Sequence, residues 1–202
     1  MRVLTRFMLS ATDAQHFPPP AIPEVAFLGR SNVGKSSVIN TLVGKKLART
    51  SSTPGRTRAI NFFEVRWAGR PKPEVVFTDL PGYGYAKISK EISNEWPTFI
   101  EPYLKERPCL ALCLTLVDVN IPPQDSDRQL FEFLGSLGRP FLIVGTKADR
   151  LSGNQLTNAM RAFTQAYAGA RIVPFSSKTS AGRDDLWREI RSVIEAREQV
   201  QV

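Results

Sequence analysis

The chain has 202 residues, of which 42% are hydrophobic and 23% are charged, and its formal net charge is +8. This length and balance indicate one globular α/β domain with short extensions, and no apolar run approaches the roughly 20 residues that a membrane-spanning helix needs. One histidine and two cysteines exclude a zinc site and histidine-based catalysis.

Apolar runs alternate along the chain with amphipathic helical patterns. The predicted strands are Val25–Leu28, Ile60–Trp67, Val75–Asp79, Leu110–Asp118, Phe141–Thr146 and Ile172–Ser176. The predicted helices lie near Ser36–Val43, Pro97–Glu106, Gln124–Leu137, Ser152–Ala168 and Arg183–Arg197. Such alternation indicates a three-layer α/β fold, a mostly parallel sheet with helices on both faces. Because residues 68–73 are too few for a crossover helix, the second and third strands should form a hairpin, giving six strands with one antiparallel strand at an edge.

The two cysteines lie four residues apart in one predicted strand. At about 3.3 Å per residue, Cys109 and Cys113 stand roughly 13 Å from each other, which is too far for a disulfide. We therefore expect buried, reduced thiols in a cytoplasmic protein.

A phosphate-binding loop is predicted directly after the first of these strands. Residues 29–36 fit the pattern G-x-x-x-x-G-K-[ST] without a gap, and the strand before and helix after them argue against a chance match. Gly29 and Gly34 let the backbone approach phosphates, Lys35 reaches the β- and γ-phosphates, and Ser36 can hold Mg²⁺. The N-terminus of the following helix adds positive potential.

Three more motifs follow predicted strands, at the edge of the sheet where ligands gather. In Asp79-Leu80-Pro81-Gly82, a D-x-x-G pattern, Asp79 would reach Mg²⁺ through water and the Gly82 N–H would sense the γ-phosphate. In Thr146-Lys147-Ala148-Asp149, the carboxylate can accept the N1–H and N2–H₂ of guanine, a donor pair that adenine lacks. The backbone of Ser176-Ser177-Lys178 could meet the guanine O6. The predicted nucleotide is therefore GTP, and a P-loop kinase is the distant alternative.

The segment of residues 53–58 contains the Gly and Pro of a mobile loop, and Thr57 can complete the coordination of Mg²⁺ when the γ-phosphate is present. An ordinary surface turn is the alternative. No Asp or Glu occurs from Val25 to Phe63. Six basic residues in this stretch exceed what one nucleotide needs, namely Arg30, Lys45, Lys46, Arg49, Arg56 and Arg58. They form either a solvated basic face or a surface for a polyanion such as RNA.

The segments GRSNVGKSS, TPGRTR, INFF, DLPGYGYAK, TKAD and SSK together resemble those of the EngB family of bacterial GTPases, in the Era-like group. The resemblance spans nearly the whole chain and implies a G domain over residues 23–198, with an N-terminal extension (1–22) and a tail (199–202). It also implies GTP-dependent assembly of the large (50S) ribosomal subunit, a requirement for normal cell division and septation, and Mg²⁺ bound through Ser36 and Thr57. A nucleotide-switched regulator of division that binds a protein partner rather than rRNA is the alternative.

The predicted site residues form three groups. Those expected to bind GTP or GDP are Gly29, Arg30, Ser31, Asn32, Val33, Gly34, Lys35, Ser36, Ser37, Gly55, Arg56, Thr57, Arg58, Ala59, Asp79, Leu80, Pro81, Gly82, Thr146, Lys147, Ala148, Asp149, Ser176, Ser177 and Lys178. Those expected to act in catalysis are Lys35, Thr57, Gly82 and Asn32. The expected Mg²⁺ ligands are Ser36, Thr57 and Asp79.

Two residues bear on the rate of hydrolysis. Tyr83 occupies the place where many GTPases have a glutamine that orients water, so we expect slow intrinsic turnover, ~10⁻⁴ to 10⁻² s⁻¹. Asn32 resembles the asparagine in the phosphate loops of potassium-activated GTPases, where K⁺ replaces an arginine finger; alternatively, it merely suits a tight turn. We expect the protein to be a monomer.

Overall fold

The computed structural model describes residues 2–48, 59–83, 100–167 and 170–200. The strands are β1 (Val3–Ala11), β2 (Glu24–Gly29), β3 (Ile60–Trp67), β4 (Val75–Asp79), β5 (Leu110–Asp118), β6 (Phe141–Thr146) and β7 (Ile172–Pro174). The helices are α1 (Lys35–Val43), α2 (described over 100–106), α3 (Asp125–Ser136), α4 (Gly153–Ala166) and α5 (Arg183–Val200). Short 3₁₀ turns lie at Ala14–His16 and Ala148–Arg150.

The strands form one sheet in the order β1-β3-β4-β2-β5-β6-β7. Strands β2, β4, β5, β6 and β7 are parallel, whereas β3 runs antiparallel to both of its neighbours, β1 and β4. The prediction of a mostly parallel α/β sheet is confirmed. The predicted elements agree with the described ones to within three residues at each end, except that the predicted start of α2 at Pro97 lies outside the described residues.

The prediction of an antiparallel edge is confirmed, since the edge strand β1 pairs antiparallel with β3, but the predicted count of six strands is wrong. The described residues form seven strands, and the reversed strand β3 lies inside the sheet, because β1 covers it. This edge strand comes from the segment that was expected to be an extension. Its register shifts between Phe7 and Leu9, and such a bulge breaks the alternation that identifies a strand in sequence. The limits of the G domain at residues 23 and 198 stay a prediction, but β1 belongs to the same sheet.

The hydrophobic core lies on both faces of the sheet. Successive residues of a strand point to opposite faces. Accordingly Val25 and Phe27 of β2 pack with side chains of α1 and α5, whereas Ala26 and Leu28 pack with those of α2, α3 and α4. Cys109 and Cys113 are buried free thiols, as predicted, and burial raises the pKa of each to about 12.

A buried polar network anchors α2 at the end of the sheet opposite the predicted site. Arg107 pairs with Glu24 at 2.5 Å and also donates a hydrogen bond to the Pro18 carbonyl. The Tyr103 hydroxyl donates to Glu24 Oε2 at 2.8 Å and lies 2.9 Å from the Thr78 hydroxyl. Because every charged member has a partner, this burial is tolerated.

Candidate nucleotide-binding site

The predicted motifs meet at the carboxyl ends of β2, β4, β5 and β6. The loop between β2 and α1 turns sharply, since Asn32 and Gly34 have φ values of 62° and 106°. A Cβ on Gly29 would lie 2.8 Å from Val33 Cγ1, so only glycine permits this packing. Gly34 is the N-cap of α1, whose first backbone N–H groups lack intrahelical partners. The loop therefore has the geometry in which backbone N–H groups bind an anion.

A charged pair lies at the base of this loop. Lys35 Nζ is 2.7 Å from Asp79 Oδ1, and the two side chains are only 10% and 5% exposed. Asp79 ends β4, and Ser36 lies in the first turn of α1. Lys35, which is predicted to bind phosphates, and Asp79, which is predicted to bind Mg²⁺, are therefore in contact.

The D-x-x-G segment runs directly beside the phosphate loop. The Leu80 N–H donates to the Phe27 carbonyl at 3.3 Å, which extends the pairing of β4 with β2. Farther on, the Tyr83 N–H donates to the Gly29 carbonyl at 3.4 Å, and the Ser31 N–H donates to the Tyr83 carbonyl at 3.2 Å. Gly82 lies between Leu80 and Tyr83, the two residues of this segment that make these contacts.

The residue after this segment also contacts helix α3, which the sequence did not indicate. The Tyr83 hydroxyl donates a hydrogen bond of 2.9 Å to Asp127 Oδ1, and Arg30 Nε lies 3.5 Å from the same oxygen. Asp127 is 1% exposed. In the sequence it looks like an ordinary acidic residue in the first turn of a helix.

The T-K-A-D motif connects β6 to the phosphate loop. The Thr146 hydroxyl lies 2.7 Å from the Val33 carbonyl and 3.0 Å from the Val117 carbonyl. Lys147, in left-handed backbone conformation, donates from Nζ to the Asn32 carbonyl at 2.9 Å. This hydrogen bond places the Lys147 side chain against the phosphate loop.

The same lysine pairs with an acid that the sequence analysis did not single out. Lys147 Nζ is 2.6 Å from Asp118 Oδ2, and Asn120 donates to Asp118 Oδ1. Burial raises the pKa of Asp118, but the hydrogen bonds from Lys147 and Asn120 outweigh burial and leave this pKa below its ordinary value. Asp118 ends β5, so its position at a strand end was the signal available in the sequence.

The predicted guanine-recognition residues lie together after β6 and β7. The Ser176 hydroxyl donates to Asp149 Oδ1 at 2.6 Å and accepts from the N–H groups of Lys178 and Thr179. This serine is buried, whereas Asp149 is exposed. The hydrogen bond from the Ser176 hydroxyl is the main reason why the pKa of Asp149 is below its ordinary value. The carboxylate is therefore ionised and oriented.

Part of the predicted site lies outside the described residues. These positions are Gly55, Arg56, Thr57 and Arg58, together with the basic Arg49. Ala59 is described and directly precedes β3. The prediction of a switch loop there stays a prediction.

Comparison with known proteins identifies the family. A family model described as 50S ribosome-binding GTPase matches residues 24–147 of this chain. A protein of Koribacter versatilis named probable GTP-binding protein EngB is 59% identical over 190 residues, which are 94% of each chain. A protein of the same name from Acidobacterium capsulatum is 61% identical over 194 residues, covering 96% of this chain and 92% of the relative. This chain belongs to the EngB family.

Solved structures agree in fold. A crystal structure of a probable GTP-binding protein engB superimposes with a TM-score of 0.67 and 24% identity, covering 86% of this chain and 99% of that one. Era in complex with MgGDPNP and 16S rRNA nucleotides 1506–1542 gives a TM-score of 0.69 and 24% identity, covering 86% and 56%. EngB-family proteins are P-loop GTPases, so this chain binds guanine nucleotide and hydrolyses GTP. In the part of the chain that the structure describes, no helix is both long and apolar enough to cross a membrane.

Proposed function

We propose that this EngB-family GTPase is a monomeric, cytoplasmic nucleotide switch in the assembly of the large (50S) ribosomal subunit, and is needed for normal cell division and septation. The match of residues 24–147 to a family described as ribosome-binding GTPases is the main support. Era, whose fold this chain shares, was solved with an rRNA fragment, which favours an RNA partner. The net charge of +8 favours a polyanionic partner as well.

In the proposed site, each motif contacts one part of the nucleotide. The backbone of the phosphate loop and Lys35 bind the β- and γ-phosphates. Asp149 accepts the two guanine donors, and Lys147 lies along the base. The Gly82 N–H recognises the γ-phosphate and so distinguishes GTP from GDP. The Ser176 hydroxyl holds the Asp149 carboxylate in place.

Mg²⁺ fits the oxygen donors that this site offers. The Ser36 hydroxyl and the Asp79 carboxylate are hard ligands of the kind that Mg²⁺ prefers. Among the described residues no group of three or more His, Cys, Asp and Glu side chains could hold a metal ion. The proposed ion therefore depends on phosphate oxygens as well, and Thr57 is the proposed second hydroxyl ligand. When bound, Mg²⁺ neutralises charge on the β- and γ-phosphates.

Hydrolysis is proposed to be slow and activated by K⁺. The Tyr83 hydroxyl is bound to Asp127, so it is not offered to an attacking water. Asn32 is the proposed K⁺ ligand in the phosphate loop. GTPase rates in KCl and NaCl test this role, because an Asn32→Ala variant should lose the excess rate in KCl. Equal rates of the unaltered protein in the two salts would contradict it.

Co-sedimentation with purified large-subunit particles tests the assembly role. Binding should be tighter with a non-hydrolysable GTP analogue than with GDP or without nucleotide, and it should weaken steeply as salt rises. Lys46→Glu should weaken binding, since Lys46 is exposed in the acid-free stretch. Arg161→Glu is the matched control: it is exposed on α4, whose buried Phe163 packs on the opposite face of the sheet from α1. Binding that ignores both nucleotide and salt would contradict the proposal and favour a protein partner.

A further inference from the structure

A buried carboxylate on α3 joins the phosphate loop to the D-x-x-G segment. Asp127 lies in the first turn of α3, and its Oδ1 contacts both Tyr83 and Arg30. We call these three residues the α3 clasp. The phosphate loop, through Arg30, and the segment after β4, through Tyr83, thus both contact Asp127, on a helix that carries none of the predicted nucleotide ligands.

The chemistry of the α3 clasp favours a single arrangement. Burial raises the pKa of Tyr83 well above 10.0, and the charge of Asp127 raises it further, so the phenol stays a donor. Burial also raises the pKa of Asp127 above its ordinary value, and the Tyr83 hydrogen bond and the Arg30 charge offset only part of this rise. A buried carboxylate that loses such partners is strongly destabilising, which penalises any movement of the phenol away from it.

The clasp fixes the backbone next to Gly82. Tyr83 follows Gly82 directly, and its N–H and C=O are bonded to Gly29 and Ser31 of the phosphate loop. Gly82 itself lies so close to the loop that a Cβ there would be 3.0 Å from the Ser31 backbone nitrogen. With its neighbour held at three points, Gly82 has little freedom to leave the loop.

We infer that Asp127 is a positioning residue for GTP: through the Tyr83 hydroxyl it holds the Gly82 N–H beside the phosphate loop, where the γ-phosphate binds. This role rests on the proposed function of Gly82. Since GDP has no γ-phosphate, the α3 clasp should raise the affinity for GTP and leave that for GDP unchanged. Ordering the segment before the ligand arrives lowers the entropic cost of binding.

The ratio of the dissociation constants for GDP and a non-hydrolysable GTP analogue is the informative quantity. A hydrogen bond to a charged group is strong enough that its loss should weaken the GTP analogue about tenfold. Tyr83→Phe removes only the hydroxyl, and Asp127→Ala removes its acceptor. If both act through the same contact, the double variant should shift the ratio no more than the larger single shift.

Two variants control for effects on the fold. Tyr103→Phe removes another buried phenol that donates to a carboxylate, that of Glu24, at the opposite end of the sheet. Asp125→Ala removes an exposed acid from the same turn of α3 as Asp127. Both should leave the nucleotide ratio unchanged, and thermal unfolding of every variant separates loss of stability from loss of selectivity.

The outcomes distinguish the clasp from the site on which it acts. A selective loss of GTP-analogue affinity in Tyr83→Phe and Asp127→Ala, with non-additive shifts, supports the clasp. An unchanged ratio, equal losses for both nucleotides, or a shift towards the GTP analogue overturns it. Gly82→Ala is measured in parallel: if it changes the ratio while the clasp variants do not, the proposed site stands and the clasp fails. If only the clasp variants change the ratio, the α3 clasp affects GTP affinity by a route other than Gly82, and the inference is overturned.

Discussion

Replacing Ser176 with alanine tests how the guanine-recognition carboxylate is held. The Ser176 hydroxyl is the first cause of the lowered pKa of Asp149 and lies 2.6 Å from its Oδ1. Hydrogen bonds to a charged group contribute about 1.5–3 kcal/mol, and solvent around the exposed Asp149 reduces this to about 1 kcal/mol. The dissociation constant for GDP should therefore rise about fivefold in the variant.

The effect of Ser176→Ala on GDP binding should depend on pH, in a direction that the lowered pKa of Asp149 fixes. In the unaltered protein Asp149 stays ionised on acidification to below the ordinary Asp pKa of about 3.9. Without the hydroxyl, the pKa of Asp149 rises towards that value, so the variant loses the carboxylate at a higher pH. The dissociation constant of Ser176→Ala for GDP, divided by that of the unaltered protein, should be constant from about pH 8 to 6. This ratio should increase as the pH falls towards 4.

Isothermal titration with GDP across this pH range is the assay. Ser136→Ala, which removes an exposed serine at the end of α3, should bind GDP like the unaltered protein. The reasoning is refuted if Ser176→Ala binds GDP with unchanged affinity at pH 7, or if the ratio narrows on acidification.

Three further predictions concern one residue beside the site and several residues of the fold. Asp118→Asn should weaken GDP binding about fivefold, because Lys147 loses the carboxylate with which it pairs. At pH 7 the variant should also have a lower free energy of unfolding than the unaltered protein. In urea titrations this difference in free energy should vanish below the lowered pKa of Asp118, where the carboxyl of the unaltered protein is protonated too. Gly182→Ala should cost about 3 kcal/mol in the free energy of unfolding, since its φ is 79° and a Cβ would lie 2.1 Å from a carbonyl oxygen, whereas Gly138→Ala, at a φ of 63° with open space, should cost about 1 kcal/mol. Both cysteines should resist a thiol reagent at pH 8 until the protein is unfolded, because their pKa values are about 12; reaction of the folded protein would contradict this.

Contiguous motifs made most of the fold and site predictable from the sequence. The phosphate loop, the D-x-x-G segment and the T-K-A-D motif each follow a strand whose apolar run is visible, and parallel strands bring their carboxyl ends to one edge. By contrast, Asp127 contacts Tyr83 from 44 positions away, and Asp118 contacts Lys147 from 29. Such pairs depend on how helices and strands pack, which a local pattern does not contain. The strand β1 was missed for a local reason, the bulge at Met8.

Competition binding of guanine and xanthine nucleotides to an Asp149→Asn variant tests most directly whether this strand end selects the base. Asparagine offers one acceptor and one donor, which match the N1–H and the C2 carbonyl of xanthine but oppose the N2–H₂ of guanine. The variant should bind GDP about 100-fold more weakly than the unaltered protein, since a hydrogen-bonding site leaves groups unpaired with the wrong base, and it should prefer XDP. Undiminished GDP affinity, or no preference for XDP, would contradict the assignment of guanine recognition to Asp149.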